Sequence, residues 1–435
     1  MIQFILYNLG LIITLPFTVA YLIYRKISTK QTHQSVKEQL GIVKIREDVK
    51  SPIWIHGVSV GETIAGAAVV EELLKQSDKH DIIFSNTTKT GHEQSLKSIK
   101  GAKQLTYYPF DFCFPVWSSI RKVKPAIFAS VDTEIWPNFR YILKKYNGKS
   151  AIINGIISND TLRGASIFTW LYKWTLSNID IFCMQSEEDA SRIIKLGANP
   201  EKVIVTGNCK VDNARINVPK EEINSLFKEY FPNADINNTL VFVAGSTNPG
   251  EDIPVINAYA KLKEKYKNVK MIIAPRQIKR GEEIGLMLKD RNISYTLRSS
   301  KEPIDFDNDV LILNTMGELA KAYFLGTVSF VGGSLIKKGC HSILQPIAAG
   351  IGVCVGPHTF KAKDLVAQAK KFNIGFEIRN SSELAQKLDE ILSDENKRKE
   401  IKINCEKMLD TNKGAAEKTA KAMLTMLEQG TVLKI

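Results

Sequence analysis

A glycine-rich turn early in the chain carries a serine and a glutamate. Residues 56–62 read HGVSVGE and follow the apolar run 52–55. Gly57, Ser59 and Gly61 fit G-x-S-x-G, the pattern that places a nucleophilic serine on a sharp strand-to-helix turn in α/β-hydrolases. Glu62 follows, and a carboxylate in the first turn of a helix stays ionised and can accept a proton. The segment therefore supports a serine nucleophile, a general base, or a glutamate that only caps the helix.

The surroundings of Ser59 disfavour the nucleophile. A hydrolase serine is preceded by an oxyanion-hole loop and followed by an acid and a histidine. Little besides an apolar segment precedes Ser59, and the candidate bases His341 and His358 lie in the presumed second domain. Small residues at 57, 59 and 61 are better explained by a tight loop. On residue types alone, capping is favoured over catalysis for Glu62, and a serine esterase that uses Ser59 remains an alternative.

Two further acids stand in VDTEIWPN, residues 131–138. Asp132 and Glu134 follow a hydrophobic strand, and functional groups collect at the carboxyl ends of strands in α/β folds. The alternative is that one acid caps the next helix while Trp136 packs in the core.

Three loops in the second half have residues suited to phosphate. AGSTNPGED, residues 244–252, has Glu251 and Asp252 where a P-loop requires Lys and Ser/Thr, which disfavours ATP hydrolysis. IAPRQ supplies Arg276, a fork for phosphate. In FVGGSLIKKGCHSILQP, residues 330–346, Gly332 and Gly333 predict a loop whose N–H groups approach a nucleotide phosphate. Each loop alone is also compatible with a simple tight turn.

Apolar strands alternate with helical stretches after residue 50, which predicts βαβ units around parallel sheets. The predicted strands are 53–56, 81–85, 104–108, 126–130, 151–154, 179–185, 203–206, 240–244, 269–274, 310–314, 328–331 and 351–355. A polar stretch at 212–238 interrupts the rhythm and predicts a linker between a domain at 25–211 and a domain at 239–435. Two domains also suit a length of 435 residues.

Composition limits the partners. The net charge of +13 favours an anionic partner, whether nucleic acid, a membrane surface or a phosphorylated substrate. A membrane-tethered nucleic-acid-binding protein is thus a second alternative, although the chain has no recognised nucleic-acid motif. The six cysteines are dispersed, which predicts neither a zinc site nor a disulfide framework.

The first 24 residues contain no charged side chain and are followed by Arg25, Lys26 and Lys30. This pattern predicts a membrane anchor helix at 1–24, with the rest of the chain on the cytoplasmic side. Pro16 also fits a shallower insertion, and an apolar helix packed on the protein is the remaining alternative.

Eight segments in order resemble the Kdo (3-deoxy-D-manno-oct-2-ulosonic acid) transferase family of lipopolysaccharide biosynthesis, over residues 52 to about 425. The segments are HGVSVGE, VDTEIWPN, QSEEDASRIIKLGA, TGNCKVD, AGSTNPGED, IAPR, NTMGEL and GGSLIKKGCHSILQP.

The resemblance implies a GT-B fold, with an N-terminal acceptor domain and a C-terminal CMP-Kdo-binding domain, both Rossmann-like, facing a central cleft, and a last helix that packs back on the first domain. It implies an inverting glycosyltransferase that moves Kdo from CMP-Kdo to a tetraacylated lipid A precursor, lipid IVA. The implied location is the cytoplasmic face of a Gram-negative inner membrane, among anionic phospholipids. Neither a cofactor, nor a catalytic metal, nor nucleic acid is expected.

The resemblance also assigns residues. Glu62 corresponds to the general base, and Asp132 and Lys210 correspond to residues that stabilise the transition state. The implied nucleotide contacts are Pro275, Arg276, Met316, Gly317, Glu318, Ser342, Ile343, Leu344 and Gln345.

The chain departs from the family pattern at several positions. The last segment commonly reads H-N-x-L-E-P, whereas this chain has Gln345 in place of the glutamate. If that glutamate binds the ribose hydroxyls, Gln345 retains hydrogen bonding but lacks the charge. Asn248 and Gln277 replace common histidines.

Overall fold

Buried parallel strands alternate with helices in two successive series, which confirms the predicted α/β class with two parallel-sheet domains. The computed structural model describes residues 2–29, 33–157, 159–165, 168–212, 214, 218–300 and 308–430. The chain divides into unit 1, Met1–Asn213 with Asn412–Ile435, and unit 2, Ala214–Thr411.

Unit 1 is built around a sheet whose strands follow the predicted positions closely. Its elements up to the boundary are α1 (Ile2–Thr29), α2 (His33–Gln39), β1 (Ile53–His56), α3 (Val60–Gln76), β2 (Ile82–Asn86), α4 (Lys89–Ser98), β3 (Gln104–Tyr107), α5 (Cys113–Val123), β4 (Ile127–Val131), α6 (Pro137–Lys145), β5 (Lys149–Gly155), α7 (Asn159–Ala165), α8 (Thr169–Leu176), β6 (Ile181–Met184), α9 (Glu187–Lys195), β7 (Val203–Val205) and α10 (Cys209–Asp212).

The described strands of this sheet are all parallel, in the order β3-β2-β1-β4-β5-β6-β7. β1, β2 and β4 are buried throughout, as expected for strands covered on both faces. α3 packs so closely on the sheet that a Cβ at Gly66 would lie only 2.7 Å from Cε2 of Phe84. The strand order reverses between β1 and β4, and ligands of such sheets bind at the carboxyl ends of the strands beside this point. HGVSVGE and VDTEIWPN leave the sheet there.

Unit 2 repeats this architecture. Its elements are α11 (Lys220–Tyr230), β8 (Leu240–Thr247), α12 (Asp252–Lys265), β9 (Val269–Pro275), α13 (Gly281–Lys289), β10 (Tyr295–Leu297), β11 (Val310–Ile312), α14 (Leu319–Ala322), β12 (Val328–Val331), α15 (Leu344–Ala348), β13 (Gly352–Val355), α16 (Lys363–Lys371), β14 (Gly375–Glu377), α17 (Ser381–Leu392) and α18 (Glu395–Thr411). The described strands are parallel, in the order β10-β11-β9-β8-β12-β13-β14. The edge strands β10 and β14 have no counterpart among the predicted strands.

The stretch 212–238 is more ordered than the linker expected from its composition. Residues 220–230 form α11, and Phe227 and Tyr230 pack into the core of unit 2. Residues 213 and 215–217 lie outside the described residues.

The last helix, α19 (Ala415–Gln429), belongs to unit 1 and packs against α3. Asp212 accepts hydrogen bonds from the N–H groups of Gly414 and Ala416, which fixes the start of the helix. α19 therefore supports the helix that begins at the HGVSVGE loop.

The N-terminal helix, α1, contacts the rest of unit 1 through polar and aromatic side chains. The ring of Phe4 stacks on Tyr141 at 4.5 Å, and the Tyr7 hydroxyl donates to Asp111 at 3.1 Å. The Asn8 amide pairs with Asn138 at 2.8 Å. Within the described part of the chain, no helix is both long enough and apolar enough to cross a membrane. This corrects the prediction of a membrane anchor at 1–24: part of the segment packs on the protein instead.

Candidate active site

Glu62 lies in the first turn of α3, as predicted, and both of its carboxylate oxygens are held. The backbone N–H of Val58 donates to Oε2 at 2.5 Å, and the Ser59 hydroxyl donates to Oε1 at 2.9 Å. A carboxylate has about four lone-pair positions, so two contacts leave room for a further donor. Glu62 thus combines a capping role with the capacity to accept a substrate proton.

The contacts of Ser59 argue against a hydrolase triad. Its hydroxyl donates to Glu62, and the nearby His56 is engaged elsewhere. The Nδ1 atom of His56 lies 3.0 Å from the Ser85 hydroxyl, and Nε2 lies 3.4 Å from the Thr87 hydroxyl. Burial lowers the pKa of His56 to about 3. Among the described hydrogen bonds of unit 1, no histidine pairs with Ser59.

An ion pair stands at the neighbouring strand end. Lys210 Nζ lies 3.2 Å from Oδ2 of Asp132. Asn154, fully buried at the end of β5, donates to the other Asp132 oxygen at 2.7 Å and accepts from the N–H of Cys209 at 2.8 Å. Asp132 and Asn154 both have positive φ, 57° and 52°, a strained backbone typical of functional sites. Sequence reasoning missed Asn154, although it lies in a strand predicted from the pattern.

A buried arginine shapes the loop that carries the acids. Arg140 donates to the carbonyl oxygens of Glu134 at 2.9 Å and Ile135 at 2.8 Å, and to the Ser130 hydroxyl at 2.6 Å. Its role was also missed, because its partners are carbonyl and hydroxyl groups that a sequence pattern does not reveal.

The carboxyl groups of unit 1 influence one another. Burial first, and the charge of Asp132 second, raise the pKa of Glu62, while its two hydrogen bonds and Lys210 oppose the shift. Burial and the charges of Glu62 and Asp132 raise the pKa of Glu134 to about 7. A proton acceptor with a raised pKa is a stronger base near neutral pH than an ordinary carboxylate.

A cavity of about 360 Å³ in unit 2 collects most of the predicted nucleotide contacts. The loops that follow β8, β9, β11 and β12 form its walls. Among its lining residues are Ser246, Pro275, Arg276, Thr315, Met316, Gly317, His341, Ser342 and Gln345. Six of the nine residues implied by the resemblance are therefore together.

The other three point elsewhere. The side chains of Ile343 and Leu344 are buried in the core. The Glu318 carboxylate accepts from Arg298 at 3.0 Å and from the Thr315 hydroxyl. These residues shape the loops around the cavity, and their side chains do not line it.

The Gly332–Gly333 loop differs from the prediction. The Gly333 N–H donates to Oε2 of Glu251 at 2.7 Å, and the Gly332 N–H donates to the Gly245 carbonyl at 2.9 Å. Glu251 also accepts from the Leu335 N–H at 2.9 Å and is fully buried. The prediction that these glycine N–H groups meet a phosphate is therefore wrong, because the Glu251 carboxylate accepts from Gly333 and the Gly245 carbonyl accepts from Gly332.

Glycine is nevertheless needed at position 332. A Cβ there would lie 2.3 Å from the Ser246 carbonyl oxygen, so the close approach of the two loops excludes any larger residue. The acid in the position of a P-loop lysine was the sequence signal for Glu251.

Comparisons with known proteins agree with this arrangement. The sequence model of the family described as 3-Deoxy-D-manno-octulosonic-acid transferase (kdotransferase) matches residues 34–213. A 3-deoxy-D-manno-octulosonic acid transferase from Haemophilus influenzae is 28% identical over 87% of this chain and 87% of its own length. A bifunctional glycosyltransferase/methyltransferase from Fusobacterium nucleatum is 32% identical over 80% of this chain. The chain spans about half of that relative, 54% of its length.

The fold has relatives among solved structures. UDP-GlcNAc 2-epimerase from Neisseria meningitidis matches 86% of this chain with a TM-score of 0.58 and 12% sequence identity. That likeness supports the fold alone. The sequence relatives, together with the motifs at the ends of both sheets, show that the chain is a glycosyltransferase whose sequence resembles the 3-deoxy-D-manno-octulosonic acid transferases.

Proposed function

We propose that this protein transfers Kdo from CMP-Kdo to a lipid A precursor, lipid IVA, with inversion at the anomeric carbon. The observation that carries the proposal is the position of Glu62. It is held by two hydrogen bonds in the first turn of α3, at the reversal point of the sheet, and the Asp132–Lys210 pair belongs to the same group of interacting charges.

The proposed step is a single displacement. An acceptor hydroxyl oxygen bonds to the anomeric carbon of Kdo, the bond from that carbon to the CMP phosphate oxygen breaks, and CMP leaves with the bonding electron pair. Glu62 takes the hydroxyl proton, which makes the oxygen a better nucleophile. Because CMP departs from the face opposite the attack, the anomeric configuration inverts.

Lys210 supplies positive charge on the acceptor side. Its ammonium group is fixed by Asp132, which in turn is held by Asn154. A cation held in place before the reaction stabilises developing negative charge without reorganisation at the moment of transfer. We assign Asp132 the role of holding and partly neutralising this cation.

The cavity of unit 2 suits a nucleotide donor. Arg276 lies at the carboxyl end of β9, and its guanidinium matches the geometry of a phosphate or carboxylate. Gln345 and Ser342 offer neutral hydrogen-bonding groups to the ribose. The net charge of +13 accords with an anionic donor, a phosphorylated acceptor and an inner-membrane surface rich in anionic lipids.

Product analysis tests the proposal. The purified full-length chain is incubated with CMP-Kdo and lipid IVA, and the lipid is examined by mass spectrometry while CMP release is measured. We expect the acceptor mass to increase by Kdo units, with one CMP released for each unit. CMP release without a change of the lipid mass, or no turnover at all, would contradict the proposal.

Two further assays on the same preparation test the alternatives from the sequence. Ester hydrolysis that is lost on Ser59→Ala would revive the hydrolase interpretation. Retention of nucleic acid in a filter-binding assay at physiological salt would favour the nucleic-acid-binding one.

A further inference from the structure

We propose that His341 is an additional residue of the unit 2 cavity, held as the neutral tautomer with its proton on Nδ1, and that this N–H binds an anionic oxygen of the donor substrate. The identity of the ligand rests on the function proposed above. The tautomer is a property of the protein alone, so the two parts can fail separately.

The amide of Asn248 fixes which ring nitrogen of His341 accepts a hydrogen bond. Asn248 Nδ2 lies 3.1 Å from the Ser246 carbonyl oxygen, and Lys338 Nζ lies 3.5 Å from Asn248 Oδ1. A carbonyl only accepts and an ammonium only donates, so the amide has one orientation. The same Nδ2 lies 3.3 Å from Nε2 of His341. Nδ2 also lies 3.4 Å from Glu251 Oε2. Because an amide nitrogen only donates, a hydrogen bond between Nδ2 and His341 requires that Nε2 accepts and carries no proton.

The charges around the ring keep it neutral. Burial, followed by the cations Arg276, Lys361 and Lys338, lowers the pKa of His341 to about 4. The acid nearest to the pair is Glu251, which accepts from the N–H of Asn248 and from glycine and leucine N–H groups. A neutral imidazole has one proton, and since Nε2 accepts, that proton is on Nδ1.

The remaining edge of the ring faces the cavity. Cδ2 lies 3.1 Å from the position of a Cβ at Gly333, and Nε2 meets Asn248. Neither Gly333 nor Asn248 is among the residues that line the cavity, whereas His341 is. The edge that carries Nδ1 is therefore the part of the ring available to a ligand beside Arg276 and Ser342.

This arrangement depends on the asparagine at position 248. A histidine at position 248, common in the family, can donate or accept and can itself titrate. The Asn248 amide nitrogen can only donate and does not titrate, so it holds His341 in one protonation state. The cavity thereby gains a directed N–H donor without the positive charge of an imidazolium.

Matched substitutions test the ligand contact. His341→Asn places an amide nitrogen near the position of Nδ1, whereas His341→Gln reaches the position of Nε2. Binding of CMP, cytidine and CMP-Kdo to the full-length chain is measured by calorimetry, with thermal unfolding as the folding control. We expect His341→Gln to weaken CMP about ten- to a hundredfold, the range for a lost hydrogen bond to a charged group. His341→Asn should stay within about threefold of the wild type.

Comparing the affinities for CMP, cytidine and CMP-Kdo identifies the oxygen that the His341 N–H contacts. Loss of CMP affinity with unchanged cytidine affinity assigns the phosphate, and a loss seen only with CMP-Kdo assigns the sugar carboxylate. Equal binding of all three ligands by wild type and His341→Gln would overturn the contact while leaving the proposed function in place. Failure of the wild type to bind CMP or CMP-Kdo would overturn both.

Nitrogen NMR of histidine-labelled protein tests the tautomer without any ligand. We expect the His341 signals of the Nδ1–H form at pH 7, and protonation of Nε2 in Asn248→Asp, where the new carboxylate accepts. Signals of the Nε2–H form, or of the charged ring, in the wild type would overturn the assignment. This experiment also stands if the His341 variants do not fold.

Discussion

The sites at the ends of the two sheets use charge in opposite ways. In unit 1, Glu62, Asp132 and Lys210 are half-buried and interact with one another, and the pKa of Glu62 is raised. In unit 2, Glu251 is buried and saturated by backbone N–H groups, while Glu318 is held by Arg298. The carboxylates of unit 1 can take up a proton, whereas those of unit 2 hold the loops around the cavity in place.

This difference matches the distinct requirements of a chemical step and of donor binding. A base needs a carboxylate that is ionised, partly desolvated and open to one more donor. A nucleotide cavity needs rigid loops and neutral or cationic donors, and free carboxylates would repel phosphate. Substitutions in unit 1 should therefore reduce the rate of transfer, whereas those in unit 2 should change donor affinity.

The largest effect is expected at the HGVSVGE loop. Glu62→Gln keeps the size of the side chain but removes its basicity, so the transfer rate should fall by about 10² to 10⁴ while CMP affinity stays near the wild type. Ser59→Ala is the matched control: it removes one hydrogen bond to Glu62 and should cost much less. An active Glu62→Gln enzyme with an inactive Ser59→Ala enzyme would reverse the roles assigned here.

Lys210→Met should have the next largest effect. It removes the cation and leaves Asp132 without its counter-charge, so transfer should fall by about 10² to 10³, the range for a lost electrostatic contact to a transition state. Lys210→Arg should recover part of the loss because the charge returns. A CMP affinity that falls as far as the rate would show that Lys210 acts in donor binding, against the separation of the two sites.

Gln345→Glu restores the family residue in the cavity and should tighten CMP binding. A hydrogen bond to a charged acceptor is about twice as strong as a neutral one, and the expected gain is on the order of 1 kcal/mol. Gln277→Glu is the control, since it adds the same charge beside Arg276 at an exposed position outside the cavity lining. Unchanged or weaker CMP affinity in Gln345→Glu, measured by calorimetry, would show that Gln345 does not face the ribose.

Glu134→Gln should have the smallest effect. Burial and the charges of Glu62 and Asp132 raise the pKa of Glu134 to about 7, whereas Glu134 is not among the groups that raise the pKa of Glu62. Because Glu134 is already protonated where Glu62 titrates, its replacement should leave the acid limb of the transfer rate in place. The rate at high pH should hardly change. A clear shift of the acid limb, or a large loss at every pH, would mean that Glu134 acts on Glu62 or contacts substrate.

Sequence patterns predicted the described strands of unit 1 but missed the two edge strands of unit 2. β1 and β4 are buried runs, which the apolar pattern revealed, and their positions placed Glu62 and Asp132 at adjacent strand ends. β10 and β14 are partly exposed and lack the continuous Val/Ile run that made the equally short β7 detectable.

Long-range polar contacts were beyond the sequence. Asn154 binds Asp132, and Glu251 binds the Gly333 N–H, so both contacts join residues that are distant in sequence. The comparison with a P-loop drew attention to Glu251 but did not reveal its partners. Arg140 binds carbonyl groups of its own loop, which a pattern of side chains does not predict. The apolar N-terminal segment was wrongly predicted to be a membrane anchor. Its composition did not reveal that Tyr7 and Asn8 form hydrogen bonds with other residues of unit 1.

The pH dependence of transfer by the wild type and Glu62→Gln tests the central claim most directly. Glu62 accepts a proton only when ionised, and its pKa is raised, so wild-type kcat/KM should fall as the pH drops through a value above the ordinary range of a glutamate. The residual transfer by Glu62→Gln should lack this acid limb, because glutamine does not titrate. An acid limb that persists unchanged in Glu62→Gln would contradict the assignment of Glu62 as the base.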